Sequence, residues 1–164
     1  MRLQGKTTIA APREKVWEFL TDPNAIAGCA PGLESIEVVA PGEKFHVVAG
    51  IGFGAVKARF ATDIEWIDLD RPNRACMRAR GTAPVGAADA TTEMTLAEGP
   101  GGSTELSWTA EVAVLGTIAS LASRLLGGIS AKLTEAFFAC VRKKLEAGGQ
   151  DRGRRRKRRG KRKV

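Results

Sequence analysis

The hydrophobic period of this chain changes once, at Gly116, and that switch limits the possible folds more than any other feature. Before it, apolar and polar residues alternate in short runs; after it, apolar residues recur every three or four positions. A period of two belongs to a half-buried strand, and a period near 3.6 to an amphipathic helix. Ile118, Leu121, Leu125, Ile129, Leu133, Phe137 and Cys140 form one such stripe. The stripe predicts a helix of about 30 residues that stops at Gly148-Gly149. Arg142, Lys143 and Lys144 fall in its last turn, where cations oppose the negative end of the helix dipole. Gly127-Gly128 in the middle is expected to weaken or bend it.

The first part of the chain reads as strands with one helical interruption. Leu3, Gly5, Thr7 and Ile9 share one side of a strand over residues 2–9. Pro12 then opens a short helix, REKVWEFL, which Asp22-Pro23 stops. DPNAIAGC predicts a second short helix, and Ala30-Pro31-Gly32 a turn. Six further strand-like runs cover 33–39, 43–51, 55–68, 73–81, 88–97 and 103–114. Pro41-Gly42, Gly52-Phe53-Gly54, Arg71-Pro72-Asn73 and Gly99-Pro100-Gly101-Gly102 divide several of them as turns. Breaks this short imply antiparallel neighbours. The expected class is therefore α+β: a seven-stranded antiparallel sheet wrapped around a long C-terminal helix, with two short helices after the first strand.

Charge divides the chain into two parts. Residues 151–164 carry +9, whereas residues 1–150 carry −1. The expected organisation is one folded domain over 1–147 and a disordered polybasic tail over 148–164, since the tail has no apolar residue before Val164 to build a core. Arg154, Arg155, Arg156, Lys157, Arg158, Arg159, Lys161, Arg162 and Lys163 are its membrane-binding candidates. A cation near an anionic leaflet contributes about 1 kcal/mol, so engagement of half the tail gives on the order of 5 kcal/mol. The tail has no aromatic residue for base stacking, so no specific nucleic acid is expected. No apolar run approaches the roughly 20 residues of a membrane span, and polar residues interrupt the N-terminal stretch where a secretory signal would need an apolar one. Three cysteines, Cys29, Cys76 and Cys140, make an odd count, which favours reduced thiols in a cytosol. The expected location is cytoplasmic, peripheral on the inner face of the cytoplasmic membrane.

Alternation also sorts the faces of the sheet. Phe45, Val47, Phe60, Met77, Ala79, Met94, Trp108 and Ala110 point inward, and Leu121, Leu125, Ile129 and Leu133 face them from the helix. These residues form the candidate ligand-binding cavity. The inward positions of the sheet hold no Asp, Glu, His, Lys or Arg. General acid–base catalysis needs a titratable group within reach of the substrate, so no catalytic residue is assigned. His46, the one histidine, lies between inward Phe45 and Val47 and should face solvent. With no Cys/His cluster, no metal site is expected. Cys29, beside a Pro-Gly turn, is read as a structural thiol. The many alanines on the inner face fit a dry apolar pocket, and fit equally a helix packed close on small side chains. Gly50–Gly54, GIGFG, lacks the Lys-Ser/Thr and the following helix of a phosphate loop. It reads as a flexible hairpin tip, with Ile51 and Phe53 either exposed as a membrane lip or tucked into the pocket mouth.

The element order resembles the helix-grip fold of the START and polyketide-cyclase superfamily. Several segments together resemble the carbon monoxide dehydrogenase G-subunit family: Leu3-Gln4-Gly5, APREKVWEFLTDP, GCAPGLE at 28–34, GIGFGAVKARF at 50–60, WIDLDRPNRACMRARG at 66–81, and LGTIASLASRLLGGISAKLTEAFFACV at 115–141. The likeness covers residues 1–147, and the Arg/Lys-rich tail departs from it. It implies a non-enzymatic protein whose cavity holds an isoprenoid quinone, menaquinone or ubiquinone. It further implies that the protein helps tether a CO dehydrogenase, or a related molybdenum hydroxylase, to the cytoplasmic membrane; the charge of the tail is what makes an anionic membrane surface the expected partner. The alternatives are a polyketide-cyclase-like enzyme and a general lipid-binding module.

Overall fold

The structure is a computed structural model. It describes residues 1–53 and 55–161, with side chains over 1–52 and 55–146. Strand β1 (Arg2–Ile9) leads into helices α1 (Arg13–Thr21) and α2 (Pro23–Ala27). Strands β2 (Leu33–Ala40), β3 (Lys44–Phe53), β4 (Val56–Asp70), β5 (Arg74–Ala83), β6 (Gly86–Glu98) and β7 (Thr104–Leu115) follow, and helix α3 (Ala119–Lys161) closes the chain. The strands form one antiparallel sheet in the order β1-β7-β6-β5-β4-β3-β2. Only β1 is out of sequence order, because α1 and α2 carry the chain from one edge of the sheet to the other.

Local chemistry sets the junctions. Asp22 ends α1 and caps α2, its carboxylate accepting from the Asn24 amide at 3.0 Å. Such a cap satisfies an orphan amide of the first turn. Arg71, between β4 and β5, pairs with Glu14 and Glu18 of α1, and Arg13 donates to Asn73 at 2.7 Å. These contacts pin α1 to the β4–β5 turn. The register of β4 slips between Trp66 and Asp68. Ile67 is thereby left exposed, while Asp68 turns outward to Arg74. Arg74 also forks onto Glu93 at 2.9 and 3.1 Å. Its hydrogen bonds hold the Glu93 carboxyl below the ordinary carboxylate range.

Two core clusters lie under α3. The larger joins Ile9, Ala11, Val16, Trp17, Leu20, Cys29, Ala75, Leu96, Leu106 and Val141, with Phe137 and Phe138 packed against it. The one buried polar side chain among the described residues, Thr104, donates its hydroxyl to the Ala11 carbonyl at 2.7 Å. The smaller joins Ala58, Phe60, Ile118 and Ala122, with Ile51, Val114, Leu126 and Ile129 around it. The helix packs on β1, β3 and β7 and so crosses the sheet from one side to the other.

Three expectations change here. Cys29 and Cys140 are paired as a disulfide, and only Cys76 is free. The reading of three reduced thiols took the odd count alone; the fold brings the turn after α2 against the middle of α3, with 5.4 Å between the two Cα atoms. The apolar stripe of α3 is also rotated. Ala122 is 2% exposed and Leu125 is 37% exposed, because a small alanine lets the helix approach the sheet and turns its large neighbour away. Finally, α3 runs through Gly148-Gly149, where the sequence places its end. Glycine lowers helix propensity by about 1 kcal/mol without forcing a stop. The polybasic positions lie outside the described side chains, and Arg162 and Lys163 lie outside the described residues altogether.

Candidate ligand-binding site

An apolar cavity of about 350 Å³ lies between the sheet and the middle of α3. The sheet contributes Trp66, Ala75, Met77, Thr92, Met94, Leu106 and Trp108. Helix α3 contributes Leu133, Thr134, Phe137 and Phe138, and the α1–β2 segment closes the end with Leu20, Ile26, Ala30 and Pro31. No side chain on this wall is titratable, and its polar side-chain atoms are the two threonine hydroxyls and the Trp66 and Trp108 indole nitrogens. Burial of an apolar ligand here would be driven by the roughly 25 cal/mol per Å² of apolar area removed from water. The volume lies near the lower end of the range for small-molecule sites, about 300–1,000 Å³. The disulfide stands at one end of the cavity: Cys29 adjoins Ala30 and Pro31 in sequence, and Cys140 follows Phe138 on the helix.

Met77, Met94, Trp108 and Leu133 are the sequence-assigned residues that line this cavity. Phe45, Val47 and Ala110 are buried on the inner face without lining it. Phe60 and Ile129 belong to the second cluster instead. Ala79 is half-buried between Ile64 and Ala90 on the neighbouring strands. Leu121 and Leu125 do not line it, which follows from the rotated helix stripe. Ile51 is half-buried against the second cluster, paired with Ala58 in a hairpin that continues to the Phe53–Val56 pair; the Phe53 side chain lies outside the described residues. His46 points outward and bonds Asp63 across β3–β4 at 2.8 Å.

Sequence reasoning missed the α1–β2 contribution and the aromatic pair on α3. Phe137 and Phe138 meet edge to face at 5.2 Å, a favoured aromatic geometry. The adjacent Phe-Phe in the sequence was the signal to follow, since one of the two must leave a strict stripe.

A second, polar chamber of about 390 Å³ adjoins the first between β1 and α3, and Trp108, Thr134 and Phe138 line both. Its wall includes Thr7 of β1 with Ser130, Glu135 and Arg142 of α3. Arg142 donates to the Thr7 hydroxyl at 2.6 Å. Gly5 explains how Trp108 reaches this boundary. A Cβ at Gly5 would lie 2.7 Å from the indole Nε1, so only glycine leaves room for the ring over β1. Among the described residues no His/Cys/Asp/Glu group is arranged to hold a metal ion.

A long helix gripped by a seven-stranded antiparallel sheet, with a cavity between them, defines a helix-grip fold. The profile of the carbon monoxide dehydrogenase G-subunit (CoxG) family matches residues 5–146, and the chain belongs to that family. Among solved structures it is similar to a conserved protein from Geobacillus kaustophilus, at 26% identity and TM-score 0.83, covering 90% of this chain and 96% of the other. It is also similar to the Zhui aromatase/cyclase from Streptomyces sp. R1128, at 20% identity and TM-score 0.69, covering 89% and 93%. A START superfamily protein from Mycobacterium smegmatis shares the fold at 12% identity and TM-score 0.69, covering 89% and 97%. A comparison with curated proteins found no match.

Proposed function

We propose that this protein is a non-enzymatic carrier of an apolar ligand, an isoprenoid quinone, which holds a molybdenum-hydroxylase CO dehydrogenase at the cytoplasmic membrane and links it to quinone. The observation that carries the reading is the apolar cavity, which offers a ligand burial and no acid or base for turnover. The family name connects such proteins with CO dehydrogenase. The tail, with +9 in 14 residues, supplies an electrostatic attraction to anionic lipid that salt weakens. No described helix is long and apolar enough to cross a membrane, so recruitment would act through that surface attraction.

The test is quinone transfer from liposomes to the purified full chain, read by native mass spectrometry. Wild type should retain quinone. Leu133→Trp fills the cavity and should weaken retention about ten-fold, the equivalent of roughly 1.4 kcal/mol. Deletion of residues 151–164 should leave retention intact and abolish binding to anionic vesicles. Equal retention by Leu133→Trp would remove the cavity from the reading. A second reading, cyclisation of a polyketide-like substrate, draws on the aromatase/cyclase neighbour and on Glu135 in the adjoining chamber. It requires turnover that Glu135→Gln abolishes.

A further inference from the structure

One wall of the apolar cavity belongs neither to the sheet nor to the long helix. Residues 23–32 run from α1 to β2 and bring Ile26, Ala30 and Pro31 to the end of the cavity. Both flanks are fixed: α1 buries Val16, Trp17 and Leu20, and β2 pairs with β3 from Leu33 onward. Between them the stretch is weakly held. Helix α2 buries none of its residues, and Cys29 is the one buried residue among the ten described in this stretch. Its described hydrogen bonds join it to itself or to adjoining residues, apart from Gly32, whose carbonyl accepts from the Gly50 amide at 2.9 Å. The Cys140 sulfur lies 3.6 Å from the Gly28 carbonyl, but a bridged sulfur has no proton to donate. What ties the middle of the stretch to α3 is the Cys29–Cys140 disulfide. The backbone turns at both of its ends, at the extended Asp22 between the two helices and at Gly32, with φ 75°. Local opening falls where buried contacts are fewest, and here one covalent bond opposes it. The two sulfurs also differ in access: Cys29 is buried and Cys140 half-buried. A thiolate attacks the sulfur it can reach, so Cys140 is the point of attack and Cys29 the leaving group.

We propose that residues 23–32 are a redox-latched lid on the apolar cavity, held shut by the Cys29–Cys140 disulfide and freed when a dithiol reductant opens it. One thiolate of the dithiol bonds to the Cys140 sulfur and expels the Cys29 thiolate. The second thiolate bonds to the first sulfur of the dithiol and expels the Cys140 thiolate. The dithiol gives up two electrons and leaves as a disulfide, and its two protons end on Cys29 and Cys140. The proposal rests on the apolar-ligand reading above and adds its regulation: the oxidised protein retains its ligand, and the reduced protein exchanges it.

The test uses the full chain with Cys76→Ser, so that the free thiol cannot exchange with the bridge. Amide hydrogen exchange by mass spectrometry and the uptake of N-phenylnaphthylamine, a neutral fluorescent probe of apolar cavities, are followed with and without dithiothreitol. Reduction should raise exchange over residues 23–32 about ten-fold or more while β6 and β7 keep their protection, and should speed probe uptake and release by about the same factor. Cys140→Ala should show both changes without reductant and respond no further to it. Cys29→Ala should do the same, which keeps the test open if Cys140→Ala folds poorly. Unchanged exchange over 23–32, or an equal rise in β6 and β7, overturns the lid; the second result leaves the bridge a general brace. Faster local exchange with unchanged probe rates overturns the gating and leaves the apolar-ligand reading standing. Failure of the probe to bind in either redox state overturns that reading and the gate together.

Discussion

The two ends of the grip are built differently. At one end, ten buried residues from β1, α1, β5, β6, β7, α3 and the connections flanking the short helices form a continuous core, braced by the disulfide and by the Thr104–Ala11 hydrogen bond. At the other, four buried residues and a rim of half-buried ones hold the start of α3 to β3 and β4. The apolar cavity is cut into the strong end. A void costs stability through lost contacts, so it can be kept open only where the surrounding core is rigid. The difference teaches that the heavy packing around α1 and the middle of α3 is the frame of the cavity.

The sharpest way to break this comparison is to remove the brace. The sulfur bridge spans 111 residues of sequence, and a loop of that size gives a cross-link worth about 4 kcal/mol, on the order of 10 °C in Tm. Cys29→Ser should lose that amount, and reductant should have no further effect on the variant. A wild-type Tm indifferent to reductant would show that the bridge does not brace the strong end.

Next comes single-residue truncation at each end. Leu96→Ala, in the larger cluster and not itself lining the cavity, should cost about 4 kcal/mol, and Ile118→Ala in the smaller cluster about 2 kcal/mol, because a thin core relaxes more readily. Equal losses in urea unfolding would erase the asymmetry. The phase of α3 offers a finer test. Ala122→Leu should cost about 2 kcal/mol by overpacking, whereas Leu125→Ala should stay within about 0.5 kcal/mol as a surface change. The reverse order would restore the stripe read from sequence.

The smallest effect is electrostatic and lies outside both cores. Glu93 has its carboxyl lowered from 4.5 by the hydrogen bonds from Arg74. A depressed folded value means the pair stabilises above the ordinary carboxylate value and is lost as pH falls through the folded one. Glu93→Gln should therefore flatten part of the acid limb of the stability profile and leave neutral stability nearly unchanged, since the pair is exposed. An identical acid limb in the variant would remove the pair from the account.

The order of elements along the chain, both short helices and the long helix were legible because period-two and 3.6-residue patterns, Pro12, Asp22-Pro23 and the Gly/Pro turns act locally. The inner face was legible for the same reason: Met77, Met94 and Trp108 alternate as a pleat requires. Other features depend on contacts made over long sequence distances. Nothing near Cys29 announces Cys140. The choice between Ala122 and Leu125 as the buried position is made by how closely the helix nears the sheet, and a hydrophobicity pattern favours the larger side chain. Arg142 fits the last turn of a helix by its charge alone; that it reaches Thr7 requires knowing that β1 lies beside it.

Gly5 and Trp108 constrain each other's history. With the indole in place, any side chain at position 5 meets it, and with a side chain at position 5 the indole must leave the border between the two chambers. A lineage changing one residue at a time would have to shrink Trp108 before it enlarged Gly5, passing through a protein whose chambers had merged. The two positions are therefore expected to drift together or stay fixed together, as a single inherited unit written in two distant parts of the gene.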